Sequence, residues 1–201
     1  MKLDGFRFVA LALCMGPSSA AHVEGILEQH NVYRCMHNAD PVIYSTALEA
    51  DAQSYADTLA GACGDLTPDM TLDDTTEENL SLCLLVADPE DACSSGSVAV
   101  PRWYGEVTSY AEDGSGTGTS TNPSQSIDQF TQLVWKSTTQ IGCASSTCDI
   151  SSNLPVTYVV CRYQVAGNVA TQYGANVEGT ASRTFEDCAA NVGGPSFLQM
   201  T

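Results

Sequence analysis

The chain has 201 residues, and its 24 acidic side chains outnumber its 7 basic ones, so that the formal net charge is −17 at pH 7. That length suits one domain of ordinary size with an extension. A surface this acidic repels the phosphates of nucleic acids and anionic lipid headgroups, so the composition disfavours nucleic-acid partners and electrostatic docking on membranes.

Residues 1–20 have the pattern of a secretory signal peptide. The weakly basic start MKLDGFR precedes a short apolar run, FVALALCM, and Ser18 and Ala20 supply small residues before a cleavage point. The apolar run is too short to span a bilayer as a helix, which takes about 20 residues. We therefore expect a secreted, extracellular chain without a transmembrane segment, and removal of the signal changes its formal charge from −17 to −18.

Two helices are predicted in the first third of the chain. Residues 23–37 suit a helix, in which His30 and His37 lie seven positions apart and share one face. For both histidines the sequence favours helix packing or surface exposure over a role as ligands. A second helix begins at a capping box formed by Thr46 and Glu49, and Gly61 is well placed to end it.

A third helix is predicted after an irregular stretch at 62–99. Pro101 suits its first turn, and Glu106 falls on its apolar stripe. A carboxylate on such a stripe is costly unless it is paired or faces a wet cavity, and the alternative is that it reaches solvent from the edge of the stripe. Both interpretations of Glu106 stay open from the sequence. The Gly- and Ser-rich residues 112–126 predict a loop.

The last predicted elements are a short helix and two strands. Ser126 and Gln129 form a second capping box, which opens a helix to about residue 135. Strands follow at 139–144 and 156–164, and the second alternates in the way of a half-buried strand. Helices followed by strands indicate an α+β domain.

Cysteine usage agrees with export. Without Cys14 of the signal segment, the count is even, and no CxxC pair suggests a zinc ribbon or a thioredoxin-type site. We expect up to four disulfides among the cysteines that remain, which are Cys35, Cys63, Cys83, Cys93, Cys143, Cys148, Cys161 and Cys188.

Several motifs in a fixed order carry a resemblance to a known family. FTQLVW is followed by IGCA and then by YVVCRYQVAGNV, and ENL and WYGEVTSY precede them. Together these resemble the CAP superfamily, which includes cysteine-rich secretory proteins, venom allergens and plant pathogenesis-related proteins. The resemblance implies a CAP domain at 21–170 and a C-terminal extension at 171–201, after the signal at 1–20.

The fold that this resemblance implies is a three-layer α-β-α sandwich around a small antiparallel sheet, stapled by disulfides. Family pairing joins Cys63 to Cys143 and Cys148 to Cys161. The second pair is also plausible locally, because it would bridge two neighbouring strands. Cys83–Cys93 and Cys35–Cys188 are then the remaining pairs.

The resemblance also implies a central cavity, which in many family members is lined by two histidines and two glutamates and binds a divalent metal. Glu78 of ENL and Glu106 of WYGEV match the two acids, whereas Gln129 and Pro68 stand where the histidines are expected. Without imidazole we expect no metal cofactor and no catalytic residue, although Glu78 and Glu106 would suit a weakly bound divalent cation. Asn79 matches the glycosylation pattern, but the family places it in the cavity, where it would stay unmodified.

Three functions remain for such a chain. We expect a non-enzymatic, monomeric binding protein for a small apolar ligand, a sterol or a fatty acid, held either between the helices at 23–37 and 126–135 or at the 112–125 loop. The alternative is an extracellular defence or effector module that contacts a protein partner, with a vestigial cavity. The third function is that of a hydrolase, but the motifs of this chain place no histidine where it could activate a nucleophile.

Overall fold

The computed structural model describes residues 19–84, 93, 96–112, 118–122, 124, 126–151 and 154–192. The predicted signal segment lies almost entirely outside the described residues, as do residues 113–117, 123 and 125 of the loop predicted at 112–126. Within the described part of the chain, no helix combines the length and the apolar character needed to cross a membrane.

The described residues form six α-helices, one 3₁₀ turn and six strands. The helices are α1 (Ser19–Met36), α2 (Thr46–Ala62), α3 (Ala99–Gly105), α4 (Asp128–Leu133), α5 (Tyr173–Asn176) and α6 (Phe185–Val192), and the 3₁₀ turn Glu106–Ser109 follows α3. The strands are β1 (Ile43–Tyr44), β2 (Thr76–Leu84), β3 (Tyr110–Glu112), β4 (Gly118–Ser120), β5 (Gln140–Asp149) and β6 (Pro155–Gln164).

The ends of α2 differ from the prediction by one or two residues. Ser45, not Thr46, is the N-cap, and its hydroxyl accepts the backbone N–H of Leu48 at 3.4 Å. The helix continues past Gly61 and stops at Cys63, which adopts the left-handed conformation with φ of 49°. The predicted capping box at Thr46 and Glu49 is therefore wrong by one position, since the hydroxyl one residue earlier reaches the free N–H groups first.

A four-stranded sheet in the order β1-β5-β6-β2 forms the centre of the fold. β6 pairs antiparallel with β5 on one side and with β2 on the other, whereas the two-residue β1 pairs parallel with β5 at one edge. The sheet is thus mixed instead of purely antiparallel. β3 and β4 form a separate antiparallel hairpin.

Helices cover both faces of this sheet. On one face, Tyr158 and Val160 of β6 pack with Ala52 and Ala56 of α2. On the other face, alternate β6 residues join a larger core with helices α1, α3 and α4, represented by Val159, Tyr163, Ile26, Trp103 and Phe130. Because successive strand side chains point to opposite faces, β6 is buried at nearly every position. The predicted three-layer α-β-α arrangement is confirmed.

Two predicted disulfides are wrong. The structure joins Cys143 to Cys161, which lie directly opposite each other in the β5–β6 register with Cα atoms 4.1 Å apart. It joins Cys63, at the end of α2, to Cys148 near the far end of β5. The predicted pairs Cys63–Cys143 and Cys148–Cys161 fail because β5 continues five residues beyond the predicted strand, which moves Cys148 opposite Val156.

The remaining cysteines include one pair as predicted. Cys35 on α1 is joined to Cys188 on α6. Cys83 and Cys93 are both fully buried, and the Cys83–Cys93 bond stays a prediction.

Much of the region assigned to a C-terminal extension packs on the domain. Val192 and Cys188 of α6 lie against Val32 of α1 in a small apolar cluster. Tyr173 of α5 contacts the Trp135 ring edge to face, with ring centroids 5.2 Å apart. These contacts make residues 173–192 a part of the folded unit.

One arginine connects the first helix to the turn after α4. Arg34 is 1% exposed, and its guanidinium donates to the backbone oxygens of Asp40, Leu133, Trp135 and Thr138 at 2.8 to 3.1 Å. Desolvation by burial lowers the pKa of Arg34 to about 10, so it stays charged at neutral pH. Its donors satisfy carbonyl groups that would otherwise be buried without partners.

We predict that Arg34→Met destabilises the chain by about 3 kcal/mol, because several buried carbonyl oxygens lose a charged donor at once. Urea denaturation at pH 7 measures this change. Arg183→Met is the matched control, since Arg183 is exposed, and it should change the free energy of unfolding by less than about 0.5 kcal/mol. Equal effects of the two substitutions would contradict the bridging role of Arg34.

Candidate functional site

Glu78, the first predicted cavity acid, pairs with a buried arginine. The β2–β6 register sets Glu78 opposite Arg162, whose side chain has no exposed surface. The Arg162 guanidinium forms ion pairs with Glu78, with Asp69 at 2.7 Å and with Asp51 of α2 at 3.0 Å. It also lies 5.0 Å from the centroid of the Tyr55 ring. A buried cation needs such partners, because an unpaired charge in the interior is strongly unfavourable.

Asp69 and Glu78 are also joined directly. One oxygen of Glu78 accepts the backbone N–H of Asp69 at 2.7 Å. Burial raises the pKa of Glu78, and the Asp69 N–H and Arg162 oppose that rise without cancelling it. Burial acts in the same direction on Asp69, but hydrogen bonds from Thr71 and Arg162 outweigh it and lower the pKa of that carboxyl. The pKa values of the two acids are therefore shifted in opposite directions.

Sequence reasoning missed Arg162 and its partners Asp51 and Asp69 as site residues. The alternation of side chains between the two faces of β6 contained a signal for these residues. Arg162 is on the same face of the strand as Tyr158 and Val160, which pack on α2. An arginine on a strand face that packs against a helix needs acids on the neighbouring elements. Asp51 on α2 and Glu78 on the paired strand supply two of them.

An acidic pocket of about 370 Å³ opens beside this ion-pair cluster. It contains Pro68, which is exposed and lies at the position where the family histidine is expected. The pocket is bounded by the segment before β2, the start of β2 and the loop after β6, and its acidic members are Asp69, Asp73, Asp74, Glu77 and Glu78. We call it the acidic pocket.

Glu106, the second predicted cavity acid, caps a helix. Its Oε2 accepts the backbone N–H groups of Gln129 at 2.9 Å and Phe130 at 3.0 Å, in the first turn of α4. Burial raises the pKa of Glu106, the two N–H groups lower it, and the charge of Asp128 raises it further. Glu106 is half-buried, so it faces the protein and does not extend freely into solvent.

The predicted capping box at Ser126 and Gln129 is wrong. α4 begins at Asp128, its N-cap position is Ile127, and no side-chain bond comes from that residue. The Ser126 hydroxyl accepts the N–H of Asp128 at 3.1 Å instead. The carboxylate of Glu106 reaches the free N–H groups from another segment, which leaves Gln129 without a capping role.

Gln129 and Asn79 lie next to each other behind the start of α4. The Asn79 amide donates to the backbone oxygen of Gln129 at 2.9 Å. Asn79 is 1% exposed, which favours the unmodified alternative over glycosylation. The Oδ1 of Asn79 and the Oε1 of Gln129 are buried and accept no hydrogen bond from the described residues.

The four predicted cavity positions fall into two groups. Pro68 and Glu78 line the acidic pocket, while Glu106 contacts the backbone of Gln129. In the described part of the chain, no three His, Cys, Asp or Glu side chains are arranged to hold a metal ion. Both carboxylates accept hydrogen bonds from donors of the fold, so the arrangement favours structural support over proton transfer.

His30 and His37 serve in helix packing. His30 is fully buried; its Nδ1 donates to the Ile26 oxygen at 2.7 Å, so its Nε2 accepts from the Tyr163 hydroxyl at 2.8 Å. Burial lowers the pKa of His30 to about 4, which keeps the ring neutral at ordinary pH. His37 is also buried, between Tyr104 and the backbone of Glu178.

Comparison with known proteins identifies related sequences and folds. Residues 27–163, about two thirds of the chain, match the profile of CAP, the Cysteine-rich secretory protein family. A Candida albicans protein named Probable pathogenesis-related protein CaO19.6200 is 33% identical over 153 residues, or 76% of this chain and 40% of the relative. Secreted protein RBT4, also of Candida albicans, is 31% identical over 154 residues, or 77% of this chain and 37% of the relative.

The chain thus spans about two fifths of the length of these curated relatives. Among solved structures, BmVAL-1 is similar with a TM-score of 0.61 and 22% identity, covering 78% of this chain and 82% of that one. This likeness supports the fold. The similarity to a relative named as a secreted protein and the three disulfides together indicate an extracellular location.

We predict that the hydrogen bonds from Thr71 and the contact with Arg162, which lower the pKa of Asp69, make the chain sensitive to acid. The pKa of Asp69 is lowered on folding, so its contribution to stability is present above its ordinary value of 3.8 and is lost as the pH falls through the lowered value. Asp69→Asn should cost about 2 kcal/mol at neutral pH and progressively less below about pH 4. Urea denaturation as a function of pH measures the difference.

Thr71→Val provides a matched control, because it removes a hydroxyl that donates to Asp69 at 2.7 Å but keeps the carboxylate. Without that donor the folded-state pKa of Asp69 should rise, and the acid-induced loss should begin at a higher pH than in the wild type. A deficit of Asp69→Asn that stays constant or grows as the pH falls would contradict the assignment.

Proposed function

Since the chain belongs to the Cysteine-rich secretory protein (CAP) family, we propose that it acts outside the cell as a binding module without catalytic activity. The observation that carries this proposal is the bonding of the two cavity acids. Glu106 caps α4 through two backbone N–H groups, and Glu78 pairs with Arg162. A carboxylate that accepts such bonds is a poor general base, because transfer of a proton to it would break them.

The family histidine positions support the same conclusion. Pro68 has no ionisable group, and the Gln129 amide neither transfers protons near neutral pH nor replaces imidazole as a zinc ligand. His30 and His37 are held in helix contacts. No metal or other cofactor is part of the proposed function.

The space between α1 and α4 offers little room for an apolar ligand. Phe130 and Leu133 of α4 are fully buried. Tyr33 of α1 stacks on Tyr104 with ring centroids 4.0 Å apart, and Tyr104 contacts Phe130 edge to face. These side chains fill the first location that the sequence suggested for a ligand. Half of the second location, at 112–125, lies outside the described residues.

The rim of the acidic pocket is a third candidate location for an apolar ligand. Three of the seven exposed large apolar side chains of the described residues lie on two loops at the pocket: Met70 at 90% exposure, Val165 at 50% and Val169 at 40%. The two loops are joined by a hydrogen bond of 2.9 Å from the Ala166 N–H to the Thr75 oxygen. Exposed apolar side chains gathered beside a pocket are typical of binding surfaces.

The chemistry of rim and pocket together favours a neutral amphipathic ligand. The acidic side chains would accept a hydrogen bond from a hydroxyl group, but they would repel the carboxylate of a fatty acid. We therefore favour a sterol, with its hydroxyl in the acidic pocket and its ring system on the apolar rim, over a fatty acid. A pocket of about 370 Å³ suits the polar end of such a molecule.

A second candidate is the binding of an extracellular protein partner. The high exposure of Met70 and the acidic residues beside it favour a partner with a basic surface and an apolar contact. Such binding would weaken steeply as salt rises, because the charges are exposed. Sterol binding would change little with salt, so retention of partners at low and high ionic strength separates the two candidates.

We predict that the mature chain binds cholesterol in preference to palmitate, because palmitate carries a charge of the same sign as the pocket. The combined substitution Met70→Gln and Val169→Asn should weaken cholesterol binding by about tenfold or more, since burial of each apolar side chain contributes about 1.5 to 3 kcal/mol. Ile150→Asn is the matched control, since Ile150 is 47% exposed and is not a pocket residue. Displacement of a fluorescent sterol measures the affinities.

Tighter binding of palmitate, or equal affinity of the rim variant and the wild type, would reject the sterol site. The non-enzymatic part of the proposal is tested separately with ester and peptide substrates, for which we expect no turnover. Turnover that is abolished by Glu78→Gln or Glu106→Gln, in chains that remain folded, would show that these acids are catalytic.

A further inference from the structure

A second pocket, of about 310 Å³, lies at the junction of α1 and α6. Its walls come from the second half of α1, the turn at 38–41, the segment before α6 and the end of α6. The residues that matter for its chemistry are Cys35, Asp40, Pro41, Arg183 and Val192. No residue of the acidic pocket is among those that line it.

Arg183 gives this pocket a positive charge in a strongly acidic chain. The other cations of the described residues are engaged with the fold: Arg34 and Arg102 with backbone oxygens, Lys136 with Glu178 at 2.5 Å, and Arg162 with three carboxylates. Arg183 instead reaches the sulfur of Cys35 at 3.5 Å and has no acidic side chain within ion-pair distance among the described residues. Most of its donors are therefore available to a ligand.

Asp40 supplies a negative charge to the same pocket. Two hydrogen bonds fix the turn that carries Asp40. The Nε of Arg34 donates to the backbone oxygen of Asp40 at 2.8 Å, and the side-chain amide of Asn38 donates to the Glu178 carboxylate at 2.7 Å. The carboxylate of Asp40 is exposed and forms no ion pair with Arg183, although both residues line one pocket. The pocket thus holds two opposite charges that do not neutralise each other directly.

This charge pair selects among ligands. A simple anion would be attracted by Arg183 but repelled by Asp40 and by the net charge of the chain, and a simple cation would be repelled by Arg183. A molecule with both charges would meet a complementary group at each end. The apolar side chains of Ala39, Pro41 and Val192 also line the pocket and suit a short aliphatic group.

We propose that this pocket binds a small zwitterion, an α-amino acid with a short aliphatic side chain. Its carboxylate takes two donors from the Arg183 guanidinium, which matches carboxylate geometry. Its ammonium group donates to Asp40, and its side chain lies on Pro41 and Val192. The site is separate from the sterol site proposed above, and neither proposal depends on the other.

The test is an NMR titration of the ¹⁵N-labelled mature chain with L-valine. We expect saturable shifts of the backbone signals around Asp40, Arg183 and Asn191. Arg183→Gln and Asp40→Asn should each weaken binding by about tenfold, as expected for loss of a charge-assisted contact. Arg183→Lys, which keeps the charge but loses the two-pronged geometry, should fall between the wild type and Arg183→Gln.

Two modified ligands make the test specific to the zwitterion. Valinamide lacks the carboxylate and N-acetylvaline lacks the ammonium group, so each should bind about tenfold more weakly than valine. Asp57→Asn on α2 is the matched control for Asp40→Asn, since Asp57 is exposed and does not line the pocket.

The proposal is overturned if valine causes no saturable shifts, if Arg183→Gln binds as well as the wild type, or if either modified ligand binds as tightly as valine. Cholesterol binding measured on Arg183→Gln should match that of the wild type. This separates a failure of the zwitterion site from a failure of the sterol site.

Discussion

The fold around the acidic pocket depends on one buried guanidinium. Arg162 has no contact with solvent, and the acids that balance its charge come from three segments: Asp51 of α2, Asp69 of the segment after α2, and Glu78 of β2. Loss of any of these acids would leave the buried Arg162 charge with one partner fewer, which destabilises the fold far more than loss of a surface ion pair does. The orientation of these segments around β6 is therefore coupled to the electrostatics of a single side chain.

The contacts of the two predicted cavity acids limit the chemistry that these acids can perform. Glu78 holds Arg162 and the backbone of Asp69, and Glu106 holds the first turn of α4, where Ile127 offers no side-chain cap. In a cavity with imidazole groups such carboxylates could share a metal or a proton. With Pro68 and Gln129 in those places, the carboxylates stabilise the scaffold on which the loops around the pocket are carried. Binding at the rim is compatible with this arrangement, because it requires none of these bonds to break.

The sequence predicted the larger periodic elements best. The apolar stripe of α2 and the alternation of β6 follow from repeat geometry, and the three-layer arrangement follows from the family motifs. The errors concern features that depend on distant segments. Cys148 pairs with Cys63 because β5 is longer than its apolar part, and the N–H groups of Gln129 and Phe130 in α4 are capped by Glu106, a carboxylate from another element. Arg162 was visible as an alternate strand residue, but its three acids could be assigned only once the β2–β6 register and the position of α2 were known.

The disulfide between Cys35 and Cys188 affects how the protein responds to cleavage by extracellular proteases. Its two cysteines are 153 positions apart, so the bond encloses most of the chain in one covalent ring. Closure of a ring of this size removes entropy from the unfolded chain worth about 5 kcal/mol in the loop-closure model. A single cut anywhere between the two cysteines opens the ring but releases no fragment, since both sides of the cut remain bonded. A nicked molecule therefore keeps all its segments together and can retain its folded sheet.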